Sequence, residues 1–187
     1  MTLLEMDKKV LALIEELNPD NENLTDDPDI AAKKYEVMNQ KMYELARIKK
    51  IPKYVEIEVN EGDILNFESV ANASGYEVYQ LCNIGGVDFN YKAQGTVIKI
   101  LESGTAEIEF FAYPERITEK TKAKAYEFEL SPDVLEIMPY GVAADLLKSD
   151  VSSEYGNVYA RTYENMLQRL DPRYSMPVIS FEGGVDF

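Results

Sequence analysis

The chain has 187 residues, with 34 Asp and Glu against 19 Lys and Arg and a formal charge of −15. It contains no His, no Trp and one Cys. That excludes Ser-His-Asp and Cys-His nucleophile systems, thiolate or imidazole zinc sites, and an internal disulfide. At 45% hydrophobic and 28% charged residues it has the makeup of a folded protein, and its acidity opposes binding to nucleic acid or anionic lipid.

The lone Cys82, in YQLCNI, reads as a small buried hydrophobe, and the scarcity of Cys fits a reducing compartment. The opening MTLLEMDKKV lacks the basic leader and apolar run of a signal peptide. No stretch approaches the ~18 apolar residues that span a bilayer, so no membrane partner is expected. The composition implies an intracellular, acidic, globular protein without metal-thiolate or His chemistry, and no cofactor or metal is expected.

Residues 1–52 read as an N-terminal helical hairpin. Thr2 and Glu5 have capping-box spacing, and Leu3, Met6, Val10, Leu13 and Leu17 follow at helical intervals until Asn18-Pro19. An acidic loop covers residues 20–27. It lacks the Gly an EF-hand needs at its sixth position, so it reads as a capping and solubilising segment. Asp27-Pro28 supplies the N-cap and first residue of a second helix whose stripe is Tyr35, Met38, Met42, Leu45 and Ile48.

Residues 53–130 change to a period of two and predict an antiparallel β-rich unit, a β-sandwich or jelly-roll-like arrangement. Three segments alternate apolar residues with Glu: Val55, Ile57 and Val59 with Glu56 and Glu58; Ala106, Ile108 and Phe110 with Glu107 and Glu109; Tyr126, Phe128 and Leu130 with Glu127 and Glu129. Residues 96–101 (TVIKIL) are apolar on both faces and predict a central strand. The basic stretch 114–124 predicts an exposed loop.

Residues 131–172 return to helix and are expected to pack with the N-terminal helices. Ser131-Pro132 starts a short helical turn over 132–137, and Pro139 breaks it from a helix running to about residue 149. A last helix over 152–170 carries the stripe Tyr155, Tyr159, Thr162, Met166 and Leu170. Residues 173–187 predict a tail strand or arm with a Gly183-Gly184 hinge. The fold class is therefore α+β: a helix hairpin, a central antiparallel sheet unit, a C-terminal helix pair and a short tail strand.

Four groups of residues are candidates for chemistry or contact. Glu-x-Glu pairs on a strand share a face, which is what glycoside hydrolysis and hard-cation sites need, although a solvated sheet face explains them as well. Lys33, Lys34 and Lys41 belong to a basic group on the second helix, with Arg47, Lys49, Lys50 and Lys53 beyond them. Together with Arg116, Lys120, Lys122 and Lys124 they hold 11 of the 19 cations, a segregation that orients a molecule against an acidic partner. Val178, Ile179 and Phe181 form a strand signal able to add to a neighbouring sheet. Tyr76, Tyr79 and Phe111 are the members available for an aromatic ligand platform. No phosphate-binding loop is present, since Gly183-Gly184 has neither the Lys nor the following helix.

Two segments carry a family resemblance. PDIAAKKYEVMNQKMYELARIKKI (28–51) and FELSPDVLEIMPYGVAADLLKSDVSSEYGNVYARTYENMLQRLDPR (128–173) flank a β-rich unit. This order resembles the head-to-tail connector and adaptor proteins of tailed bacteriophages and prophages. The resemblance covers about half of the chain. It implies a non-enzymatic virion protein of the neck, present in the host cytoplasm during assembly. Its partners would be copies of itself in a ring and the portal or tail proteins, with no sequence-specific nucleic-acid binding. The alternative is a carbohydrate- or ligand-binding β-sandwich module, and a third is an acidic hydrolase using paired Glu residues.

Overall fold

A computed structural model describes residues 1–85, 90–94, 97–148 and 154–170. Five helices and six short strands among these residues make a mixed α+β protein with two apolar cores.

Helix α1 (Leu3–Leu13) begins on the expected capping box: the Glu5 N–H donates to Thr2 Oγ1 at 3.3 Å, and the Thr2 N–H donates to Glu5 Oε2 at 2.9 Å. It ends a turn before Asn18-Pro19, because Glu15 turns into the left-handed region at φ 62°. Leu11 and Ile14 take the core positions expected of Leu13 and Leu17, which are only partly buried. Asn18 and Asn21 close the following loop by donating to the two carboxylate oxygens of Asp26 at 2.7 and 2.9 Å.

Helix α2 (Pro28–Ile48) starts under Asp27, whose carboxylate accepts from the Asp29 and Ile30 N–H groups. It buries Met38, Met42 and Leu45. It also buries Asn39, whose side chain accepts from the Ile117 N–H and donates to the Ile117 carbonyl, both at 2.8 Å. This pair of hydrogen bonds pins the basic loop 114–124 and inserts Ile117 into the helical core. The loop is also held where the Leu4 N–H donates to the Ala123 carbonyl at 3.0 Å and the Tyr126 hydroxyl donates to the Glu115 carbonyl at 2.6 Å. Its charged residues Glu115, Arg116, Glu119, Lys120, Lys122 and Lys124 are exposed, as expected.

Helix α4 (Pro132–Leu147) runs unbroken through Pro139, contrary to the expected break. Proline removes one N–H and crowds the carbonyl four residues back, at a cost of about 3 kcal/mol. Ten of the sixteen residues of α4 are buried, so packing on every side offsets that cost. Both α1 and α2 rest on α4, which forms the centre of the helical half. The last helix, α5 (Glu154–Arg169), packs along α4.

The strands are β1 (Lys53–Val59), β2 (Ile64–Leu65), β3 (Glu77–Gly85), β4 (Tyr91–Gln94), β5 (Val97–Ile100) and β6 (Gly104–Tyr113). They form two antiparallel three-stranded sheets, ordered β1-β6-β3 and β2-β5-β4. The six strands among the described residues are fewer than the eight of a jelly roll. The inner faces share one core: Ala106, Ile108 and Phe110 from β6 and Ile84 from β3 join Leu65, Ile98 and Ile100 of the second sheet. β5 is central, as expected, but only Ile98 and Ile100 are buried; Val97 and Lys99 face out.

A helix inside the β zone, α3 (Phe67–Ser74), escaped the sequence reading. Asn66 and Ser69 cap it reciprocally, Gly75 ends it at φ 76°, and Val70 enters the sheet core. Residues 126–130 correct the reading in the opposite sense. Their burial alternates as expected, but they make a single bridge, Thr2 to Glu127, and Phe128 and Leu130 enter the helical core. Half-burial against helices produces the same period of two as half-burial in a sheet. The expected tail strand at 173–187 lies outside the described residues.

Candidate interaction surface

The two halves meet at a seam of tyrosines and cations. The Arg47 guanidinium lies over the rings of Tyr79 and Tyr113, 5.8 and 5.1 Å from their centroids. Tyr43 stacks on Tyr113 at 4.6 Å, Lys50 lies 5.2 Å from the Phe111 centroid, and the Tyr79 hydroxyl donates to the Ala46 carbonyl at 2.9 Å. Desolvation pushes the Tyr79 phenol up to about 12, which keeps it a neutral donor. Lys53 bridges to Glu129 and lies over Tyr76. These contacts account for three of that group of seven cations, Arg47, Lys50 and Lys53. They also dismantle the expected aromatic platform: Tyr79 and Phe111 carry cations of the helical half, and Tyr76 tilts against the core ring of Phe110.

The proposed contact lysines divide. Lys34 is fully buried, 3.3 Å from Asp7, and donates to the Asn23 carbonyl at 2.9 Å, so it is an internal ion-pair partner and not a surface cation. Lys41 bridges Glu44 and Asp145 at 3.1 and 3.0 Å. Lys33 is exposed. Val178, Ile179 and Phe181 lie outside the described residues.

Lys41 also marks the floor of an open groove of about 550 Å³ between α2, α4 and α5. The helices approach closely there because two glycines allow it. A Cβ on Gly141 would stand 2.7 Å from the Tyr163 ring, and one on Gly156 would stand 3.3 Å from Leu147 Cβ. Tyr163 is the buried residue of α5, its ring under Lys41 and its hydroxyl beside Glu44. Desolvation and the Glu44 charge push its phenol above its usual range. This geometry corrects the stripe expected for α5. Tyr159, Met166 and Leu170 do pack on the helical core, but Tyr155 points outward. It is 65% exposed, and Val158 on the same face, one turn on, is 55% exposed.

The outer face of β1-β6-β3 gathers the acidic pairs that the sequence could not place. Glu56 sits directly opposite Glu107, and Tyr54 opposite Glu109, with Tyr54 59% exposed. The third pair is elsewhere, with Glu129 held by Lys53. The face is an open sheet surface. Among the described residues no group of three or more Cys, Asp or Glu is arranged to hold a metal ion. Cys82 is exposed near Glu109, contrary to its expected burial, because a bulge between Leu81 and Asn83 takes it off the inner face. Desolvation of the sulfur and the Glu109 charge push its thiol up to about 11, so it is a poor nucleophile.

No helix among the described residues is long and apolar enough to cross a membrane. No protein-family model matches the chain, and no curated protein matches it significantly.

Proposed function

We propose that the protein is a non-enzymatic structural component of the head–tail junction of a tailed phage or prophage, assembling with portal and tail proteins. The observation that carries this reading is the outer face of α5, where Tyr155 and Val158 stand exposed one turn apart on a chain of charge −15. Large apolar side chains side by side on an acidic surface are suited to a protein partner. The helix lies within the C-terminal segment that resembles connector proteins. The seam of Arg47, Tyr79 and Tyr113 joins the two halves, which suits a part that transmits load.

The test is peptide mass spectrometry on gradient-purified particles after prophage induction in the source culture, comparing wild type with Tyr155→Ser/Val158→Ser. The expected result is wild-type protein at a copy number comparable to the portal protein, with the variant folded but lost from particles. Absence of the wild-type chain from particles that contain portal and major capsid protein overturns the reading.

A further inference from the structure

The outer faces of the two sheets carry matching, opposite defects. On β1-β6-β3, Glu56 and Glu107 are direct cross-strand neighbours, and neither has a cation partner among the described residues. On β2-β5-β4, Lys92 and Lys99 are direct cross-strand neighbours, and neither has a carboxylate partner among the described residues. Like charges placed directly opposite on a sheet repel, so each arrangement is destabilising in an isolated chain. Each face also exposes apolar side chains beside its charges: Tyr54 on the acidic face, and Ile64 (60% exposed) and Val97 (40% exposed) on the basic one. Ile64 lies across from Lys99 on its other side, so Ile64, Lys99 and Lys92 form one row across three strands. Because the inner faces share a single core, the two outer faces look away from it on different sides.

We infer that these faces are the two halves of a self-contact: the basic, apolar face of β2-β5-β4 on one copy docks on the acidic face of β1-β6-β3 on the next. This inference rests on the assembly reading above and adds to it the surfaces that meet. The occupant is a second copy because the chain itself supplies both complements, lysine pair to glutamate pair and Ile64 and Val97 to Tyr54. The two patches differ, so the contact is heterologous and propagates from copy to copy, closing where its rotation allows a ring. A three-stranded face is small beside a standard interface of about 800 Å² per partner. The single contact is therefore weak and salt-sensitive, and it gains from closure.

The experiment is sedimentation velocity over a concentration series with three proteins: wild type, Lys92→Glu/Lys99→Glu, and Glu56→Lys/Glu107→Lys. Each variant keeps a like-charge pair at each position, so circular dichroism and thermal melts should match wild type. The first variant has two acidic faces and the second two basic ones. Wild type should self-associate, more weakly in high salt. Each variant alone should associate at least tenfold more weakly, and an equimolar mixture of the two should recover association. Association of each variant alone as strong as wild type overturns the inference. So does a monomeric wild type together with a monomeric mixture. Either outcome leaves the neck reading to the particle experiment, which does not depend on these faces.

Discussion

Lys34 and Asp7 meet at 3.3 Å with both side chains only 2% exposed, joining α2 to α1 inside the helical half. Tyr35 adds a hydrogen bond to Asp7 at 3.4 Å, and desolvation with the Asp7 charge pushes its phenol up to about 12. Removing one partner of a buried pair strands the other charge. Lys34→Met should cost about 3 kcal/mol in urea unfolding at neutral pH. Replacing both, Asp7→Leu/Lys34→Met, should cost much less. Desolvation already holds the Asp7 carboxyl above 3.8 despite Lys34. A raised carboxyl contributes stability that is full below its unfolded value and lost as pH rises through the folded one. The Lys34→Met deficit should therefore shrink on acidification toward pH 4, as Asp7 takes up a proton. A deficit independent of pH would mean that packing, not charge, is being lost.

Asp145 behaves in the opposite sense. Desolvation pushes its carboxyl up, but hydrogen bonds from Lys148 and Lys41, at 2.7 and 3.0 Å, outweigh this and hold it below 3.8. A depressed carboxyl contributes stability that is present above the unfolded value and lost as pH falls through the folded one. Asp145→Asn should lower stability at pH 7 by about 1 kcal/mol, near the surface end of the range because solvent screens the pair. Its difference from wild type should close below about pH 4. Parallel thermal melts of the two proteins from pH 7 to pH 3 measure this.

The α4–α5 contact depends on one glycine more than the other. Gly141→Ala places a methyl group 2.7 Å from the Tyr163 ring, which is packed and cannot retreat freely, and should cost about 1–3 kcal/mol. Gly156→Ala meets Leu147 at 3.3 Å, a milder contact, while Ala gains up to about 1 kcal/mol of helix propensity over Gly. The second variant should lie within about 1 kcal/mol of wild type by chemical denaturation. Equal losses in both would show that the Tyr163 contact is not what limits the approach.

Cys82 should be exposed yet slow to react. With its thiol pushed up to about 11, the thiolate fraction at pH 8 is about a hundredfold lower than for a thiol at 9.0. Iodoacetamide labelling of the native protein should lag the urea-unfolded chain by about that factor. Glu109→Gln should narrow the gap, since that carboxylate is one cause of the shift. Labelling of the native protein at the unfolded rate would overturn this account.

Much of the secondary structure is legible in local signals, and the exceptions have physical causes. Thr2, Asp27-Pro28 and Ser131-Pro132 mark helix starts because capping involves groups a few residues apart. Val55 to Val59 and Ala106 to Phe110 mark strands because alternation reports one buried and one exposed face. The same alternation at Tyr126 to Leu130 misleads, since a chain lying on helices is half-buried in the same way. Pro139 misleads because propensity is local, while the burial that outweighs it comes from α1, α2 and α5. The α3 signal was present in Asn66, Ser69 and Gly75, but Ser at the third position is a weaker capping mark than Glu or Gln.

The contact surfaces were the least legible part. Lys34 and Lys33 are neighbours in sequence and alike in chemistry, yet only the rotation of α2 against α1 puts one beside Asp7 and leaves the other in water. The acidic strand faces, the basic helix and the absence of His chemistry follow from the sequence by itself, because residue type and period act over short range. That Glu56 faces Glu107, that Lys92 faces Lys99, and that Arg47 lies over two tyrosines were decided only by tertiary structure. Register and packing join residues tens of positions apart, and no local preference specifies which of them will meet.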